Sequence, residues 1–154
     1  DKIIPIQGLF YPIMLEDKSL DIVVASSSMH HVDNIEVMIK EIDRVLKDDG
    51  TLFILNETPY NSIKYFKLVT RLIGSIMVDL LFRRYRSVSK YISSSGCLYD
   101  PYLGDKAYPL WYWKGVISKS GFIQNKIIKT PYTTGKKDKR GIRLTHFICN
   151  KSFL

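Results

Sequence analysis

Residues 20–56 limit the possible folds of this chain more than any other stretch, because two buried-type strands flank one amphipathic helix there. Asp21-Ile22-Val23-Val24-Ala25 is an apolar run without alternation, the pattern of a strand covered on both faces. A polar loop follows, Ser26-Ser27-Ser28-Met29-His30-His31-Val32. Asp33 then has Glu36 three residues on, the spacing of a capping box. Ile35, Met38, Ile39, Ile42, Val45 and Leu46 fall on one helical face, with Lys47 expected in the last turn and Gly50 as the stop. Thr51-Leu52-Phe53-Ile54-Leu55 is a second buried-type strand. Two such strands joined by a helix predict a right-handed parallel βαβ unit.

Composition narrows the class. A chain of 154 residues, 45% apolar and 25% charged, is one ordinary domain with enough apolar content for a core. The formal charge of +8 can signal nucleic acid. Here the charges are spread along the chain and no aromatic-flanked basic motif is present, so no nucleic-acid partner is expected. Cys97 and Cys149 have neither CxxC spacing nor histidines at ligand intervals, so a reduced, cytoplasmic setting and no metal are expected.

Further along, residues 2–6 read as a short strand and residues 63–85 as a long helix. Its apolar stripe is Ile63, Phe66, Val69, Leu72, Ile73, Ile76, Met77, Leu80 and Leu81. Arg71 and Asp79 interrupt it, so it is not a transmembrane span. Arg83-Arg84-Tyr85-Arg86 at its end suits either an acidic lipid surface or, as favoured here, the dipole of a packed helix. Residues 87–109 are irregular and long for a connection inside a domain, the pattern of a lid. Tyr99, Tyr102, Tyr108, Trp111, Tyr112 and Trp113 would give it either a stacking surface or a core of its own. Residues 109–120 read as a helix ending at Gly121. Residues 123–130 and 142–150 read as strands joined by a basic turn.

Three motifs in order carry a family resemblance. Glu16-Asp17-Lys18-Ser19-Leu20-Asp21-Ile22-Val23-Val24, then Met29-His30-His31-Val32, then Glu41-Ile42-Asp43-Arg44-Val45-Leu46-Lys47-Asp48-Asp49-Gly50 resemble the middle of a class I S-adenosylmethionine (SAM)-dependent methyltransferase. The resemblance covers roughly residues 2–148. It implies an α/β fold, the Rossmann-like class I methyltransferase sheet in partial form, with strands 3/4-5-7-6, flanking helices and the last strand antiparallel. Residues 51–55 should pair parallel with 21–25, and 142–149 should lie antiparallel between 51–55 and 123–129.

The resemblance also assigns a site. It implies SAM as cofactor, touching Gly8, Leu9 and Phe10 and the strand end at Ala25, Ser26 and Met29. Leu9 stands where the family usually has an aspartate beside the adenine, so the carboxylate acceptor is missing. No GxGxG is present in the sequence, whereas the family cradles SAM with such a turn. The whole chain, 1–154, is therefore read as the C-terminal portion of one methyltransferase domain, with a helical and aromatic lid insertion at about 60–110. Missing N-terminal residues or a second copy would cover its open sheet edge, and the chain alone would bind SAM very weakly.

Methyl transfer from a sulfonium needs mainly alignment, helped by a general base when the acceptor is an oxygen. His31, His30 and Glu57, at the ends of buried strands, are the candidates, and His146 is read as structural. A Ser-His-Asp hydrolase is excluded by the lack of a G-x-S-x-G elbow, and an NAD enzyme by the lack of its glycine fingerprint. The expected function is methyl transfer to a small-molecule acceptor, by O-, N- or C-methylation. The alternative is a degenerate or truncated methyltransferase-like domain that binds a partner without activity.

Overall fold

The structure, a computed structural model, describes residues 3–82, 92, 98, 105–131 and 143–152. In chain order the elements are β1 (Leu20–Ser26), a 3-10 turn (Met29–His31), α1 (Ile35–Val45), β2 (Leu46–Glu57), α2 (Ser62–Leu81), α3 (Leu110–Lys119), β3 (Phe122–Pro131) and β4 (Arg143–Lys151). They form a four-stranded sheet in the order β1-β2-β4-β3. β1 and β2 are parallel, and β4 runs antiparallel to both β2 and β3. This is the expected fold and strand order.

One face of the sheet is packed. Ile35, Ile39 and Ile42 of α1 and Trp113, Val116 and Ile117 of α3 close over Leu52, Ile54, Phe147 and Cys149, all buried. Burial pushes the Cys149 thiol up to about 12, since a low-dielectric core disfavours the thiolate. Trp113 stacks on Phe147 at 5.7 Å between ring centroids and Tyr108 is buried beside it, so these two aromatics belong to the core of the domain. Trp111 is exposed. Tyr99, Tyr102, most of the expected lid, residues 83–91 and the basic turn at 132–142 lie outside the described residues.

The opposite face differs from expectation. β1 was expected to be covered on both sides, yet Ile22 and Val24 are each 58% exposed. The reason is that α1 and α3 lie on the side of Val23 and Ala25, which pack against the core cluster. Among the described residues β1 pairs with β2 alone and forms the sheet edge.

Several local expectations are corrected. Residues 3–9 form no strand and are all exposed, because no strand among the described residues offers them a ladder. Helix α1 is capped by Asn34, whose Oδ1 accepts from the N–H groups of Glu36 and Val37 at 3.0 and 3.2 Å. Asp33 is drawn instead to Lys106. The helix stops at Val45, and Gly50 lies inside β2, where it serves close packing rather than helix termination. A Cβ there would meet Leu46 Cδ2 at 2.8 Å, the Lys47 carbonyl at 2.9 Å and the Asp21 carbonyl at 3.2 Å. Gly121, by contrast, takes a left-handed φ of 82° and ends α3 as expected.

Helix α2 is not packed along its apolar stripe. Asn61 caps it through Lys64 N–H at 2.8 Å. Its buried residues are Leu68 and Leu72, in a small satellite cluster with Leu98 and Ala107. Ile63, Phe66, Ile73, Met77, Leu80 and Leu81 are exposed, because that cluster covers only a narrow strip of the helix. No helix among the described residues is long and apolar enough to cross a membrane.

The Glu41 and Arg44 of the third motif are structural. Glu41 Oε1 accepts from Ile13 N–H at 3.0 Å. The Arg44 guanidinium bonds the Ile13 and Leu15 carbonyls at 2.8 and 2.9 Å and pairs with Glu41 and Asp17. This latch holds the segment leading into β1 against α1.

Candidate active site

The C-terminal ends of β1 and β2 lie side by side, where open α/β sheets bind ligands. Both ends bend sharply: Ser27 and Asn56 have φ of 48° and 59°, a region that non-glycine residues reach only when surroundings impose it. Here those surroundings are hydrogen bonds. Ser27 N–H donates to the Leu55 carbonyl at 2.9 Å and Asn56 Nδ2 to Ser26 Oγ at 3.0 Å. Asn56 N–H donates to His146 Nδ1 at 3.2 Å. His146 must therefore carry its proton on Nε2, facing Thr130 Oγ1 at 2.8 Å. It bridges three strand segments and has the structural place expected for it.

Glu57, the last residue of β2, is 1% exposed. One carboxylate oxygen accepts from the N–H groups of Ser28 and Met29 at 3.2 and 3.1 Å. The other lies 2.8 Å from His30 Nδ1. Both carboxylate oxygens are thus hydrogen-bonded, as a buried carboxylate must be. Glu57 holds the 3-10 turn and orients His30, leaving Nε2 of that ring on the cleft side. His31 is more exposed, its side chain at 56%, and its ring lies 4.0 Å from that of His30.

A second strap crosses the turn. Lys106, its side chain 5% exposed, donates to the His31 carbonyl at 2.9 Å and to Asp33 at 2.7 Å. Tyr108 Oη donates to the Val32 carbonyl at 3.3 Å. The segment 105–108 is thereby tied to the turn, and with His30 and Glu57 it lines a cleft of about 370 Å³. Lys64, Lys129 and Arg143 also line it. Lys64, Lys106, Lys129 and Arg143 were not marked by the sequence, because they come from four separate segments with no shared motif.

The residues expected at the cofactor differ in their surroundings. Ala25 and Ser26 end β1, and Met29 is fully buried in the core with its N–H given to Glu57. Gly8 has open space around it, and Leu9 and Phe10 are 79% and 42% exposed.

Comparisons with known proteins point one way. Residues 3–54 match the family model described as a methyltransferase domain. An uncharacterised methyltransferase-like protein of Schizosaccharomyces pombe is 36% identical over 72 residues, which is 47% of this chain and 28% of the relative. A SAM-dependent methyltransferase of Thermotoga maritima, described as a possible histamine N-methyltransferase, superposes with a TM-score of 0.58 at 17% identity, over 96% of this chain and 63% of the other. The 1,6-didemethyltoxoflavin-N1-methyltransferase of Burkholderia thailandensis, solved with that compound and S-adenosylhomocysteine bound, superposes at 0.50 with 11% identity, over 88% and 45%. The chain thus spans less than two thirds of these relatives' lengths. The family model and the curated relative are both methyltransferases, and the superpositions show that the chain has the fold of SAM-dependent methyltransferases.

Proposed function

We propose that this chain is the acceptor-side portion of a SAM-dependent methyltransferase acting on a small molecule. The observation that carries the reading is the Glu57–His30 pair at the ends of β1 and β2. A buried carboxylate fixes one ring nitrogen, so the other faces the cleft as a base. Exposed Leu9 and Phe10, the space at Gly8 and the strand end at Ala25 and Ser26 fit the adenine side of SAM. No described residue matches the glycine-rich turn or the acidic ribose partner, so those contacts would come from elsewhere. When bound, SAM supplies the electrophilic methyl group.

The chain's own residues do the rest. His30 Nε2 accepts the proton of an acceptor hydroxyl or amine, Glu57 stabilises the resulting imidazolium, and His31 stands beside it as a second candidate. Tyr108 and Trp113 wall the cleft. Lys64, Lys129 and Arg143 line the cleft as well, and their positive charge favours an acceptor bearing negative charge. Labelled-methyl transfer by the intact gene product to a panel of anionic small molecules tests this. His30→Ala should lower kcat by about 10²–10⁴-fold while leaving SAM affinity unchanged. Unchanged turnover, or loss of SAM binding with turnover, overturns the reading.

A further inference from the structure

Three donor atoms converge at the mouth of the cleft. His30 Nε2 and His31 Nδ1 lie 3.9 and 3.7 Å from the same carboxylate oxygen, Oδ1 of Asp105. All three atoms are within 4.8 Å of one another. These separations are too long for hydrogen bonds, so the groups face each other without a direct bond. An ion about 2.0–2.2 Å from each donor would hold them roughly 3–3.5 Å apart, and the two histidine–Asp105 separations reach that by closing a few tenths of an ångström.

Two of the three donors are positioned from behind. Glu57 accepts at His30 Nδ1 and is itself fixed by two backbone N–H groups. The proton therefore sits on Nδ1 and the lone pair of Nε2 is left toward Asp105. This carboxylate–histidine arrangement is the one that orients imidazole ligands at metal sites. Asp105 is placed by the next residue, since the Lys106 strap ties its segment to the His31 carbonyl and to Asp33. The ammonium charge of Lys106 is answered by Asp33 rather than by Asp105. His30 and Asp105 both line the cleft, so further coordination positions open into it.

We propose that His30, His31 and Asp105 form a binding site for a divalent ion of the Zn²⁺ class. Two imidazoles and one carboxylate suit a late first-row ion over Mg²⁺ or Ca²⁺, which prefer all-oxygen sets. A sequence scan misses the site because Asp105 lies 74 residues from His31. An ion on Nε2 takes the lone pair that the base reading uses, so the ion-loaded protein holds no free base at His30. The site itself does not depend on that reading, because ion binding is measured without turnover.

The test is titration of chelator-stripped protein with Co²⁺, followed by its visible d–d absorption and by displacement with Zn²⁺. The expected result is one equivalent bound with nitrogen and oxygen ligation and no thiolate charge-transfer band. Asp105→Asn and His31→Ala should each weaken binding at least 10-fold, and Glu57→Gln by about 10–100-fold through His30. Asp105 and His31 are both partly exposed, and thermal melts of the two variants would confirm intact folding. Absence of saturable binding, binding unchanged in folded Asp105→Asn and His31→Ala, or a thiolate band from a cysteine would each overturn the proposal.

Discussion

The two faces of the sheet are built from the same strands and end in opposite conditions. On the face roofed by α1 and α3, Leu52, Ile54, Phe147 and Cys149 are fully buried. On the other, Ile22 and Val24 stand 58% exposed, although they alternate with Val23 and Ala25 along one strand. Apolar residues of one strand therefore contribute very differently according to which side of the pleat they occupy. Hydrophobic stabilisation follows the area removed from water, and only the roofed side removes it within the described residues. The chemistry follows the same division. Glu57 and its partner in register, Thr145, are both buried and both line the cleft beside the packed core.

The sharpest way to break this comparison is a pair of truncations. Phe147→Ala should cost about 3–5 kcal/mol in chemical denaturation, whereas Val24→Ala should cost under about 1 kcal/mol. Equal losses would mean that the open face is covered in solution. Next in size, Glu57→Gln should lose about 2–3 kcal/mol, since a buried charge-assisted network then presents an amide donor to backbone N–H groups. A neutral result would show that the turn at Met29–His31 is held by the core and not by the carboxylate.

The smallest effect concerns the edge of the roofed face. Glu41 is held below its ordinary value of 4.5, first by the hydrogen bond from Arg44. A carboxyl lowered in the folded state adds stability above its ordinary range and loses it as pH falls through the lowered value. Stability should therefore drop below about pH 4.5, and Glu41→Gln should flatten that part of the profile. An unchanged slope would locate the acid sensitivity in other carboxylates.

Much of the architecture was legible in local pattern. The uninterrupted apolar runs at 21–25 and 51–55 and the helical spacing from Ile35 to Val45 are short-range signals, and they placed β1, α1 and β2. Gly121 marked the end of α3 because a left-handed residue there favours glycine. The late strand pair was legible too, whereas the order β1-β2-β4-β3 was expected from the family resemblance.

The candidate site was half legible. His30, His31 and Glu57 stood out as polar residues at the ends of apolar strands, but their division of labour did not. That Glu57 holds and His30 faces the cleft depends on hydrogen bonds between residues 27 to 29 positions apart. Lys106 lies 73 positions from Asp33. A buried ammonium needs an anionic or carbonyl partner wherever the chain can bring one, and this demand took Asp33 away from the helix cap and left the role to Asn34. The stripe on α2 shows the reverse case. Its periodicity defines an apolar face correctly, but periodicity cannot say how much of that face another segment reaches. Helix and strand identity follow from neighbours a few residues away. Burial, pairing and the convergence of His30, His31 and Asp105 are set by contacts that exist only once the chain has closed on itself.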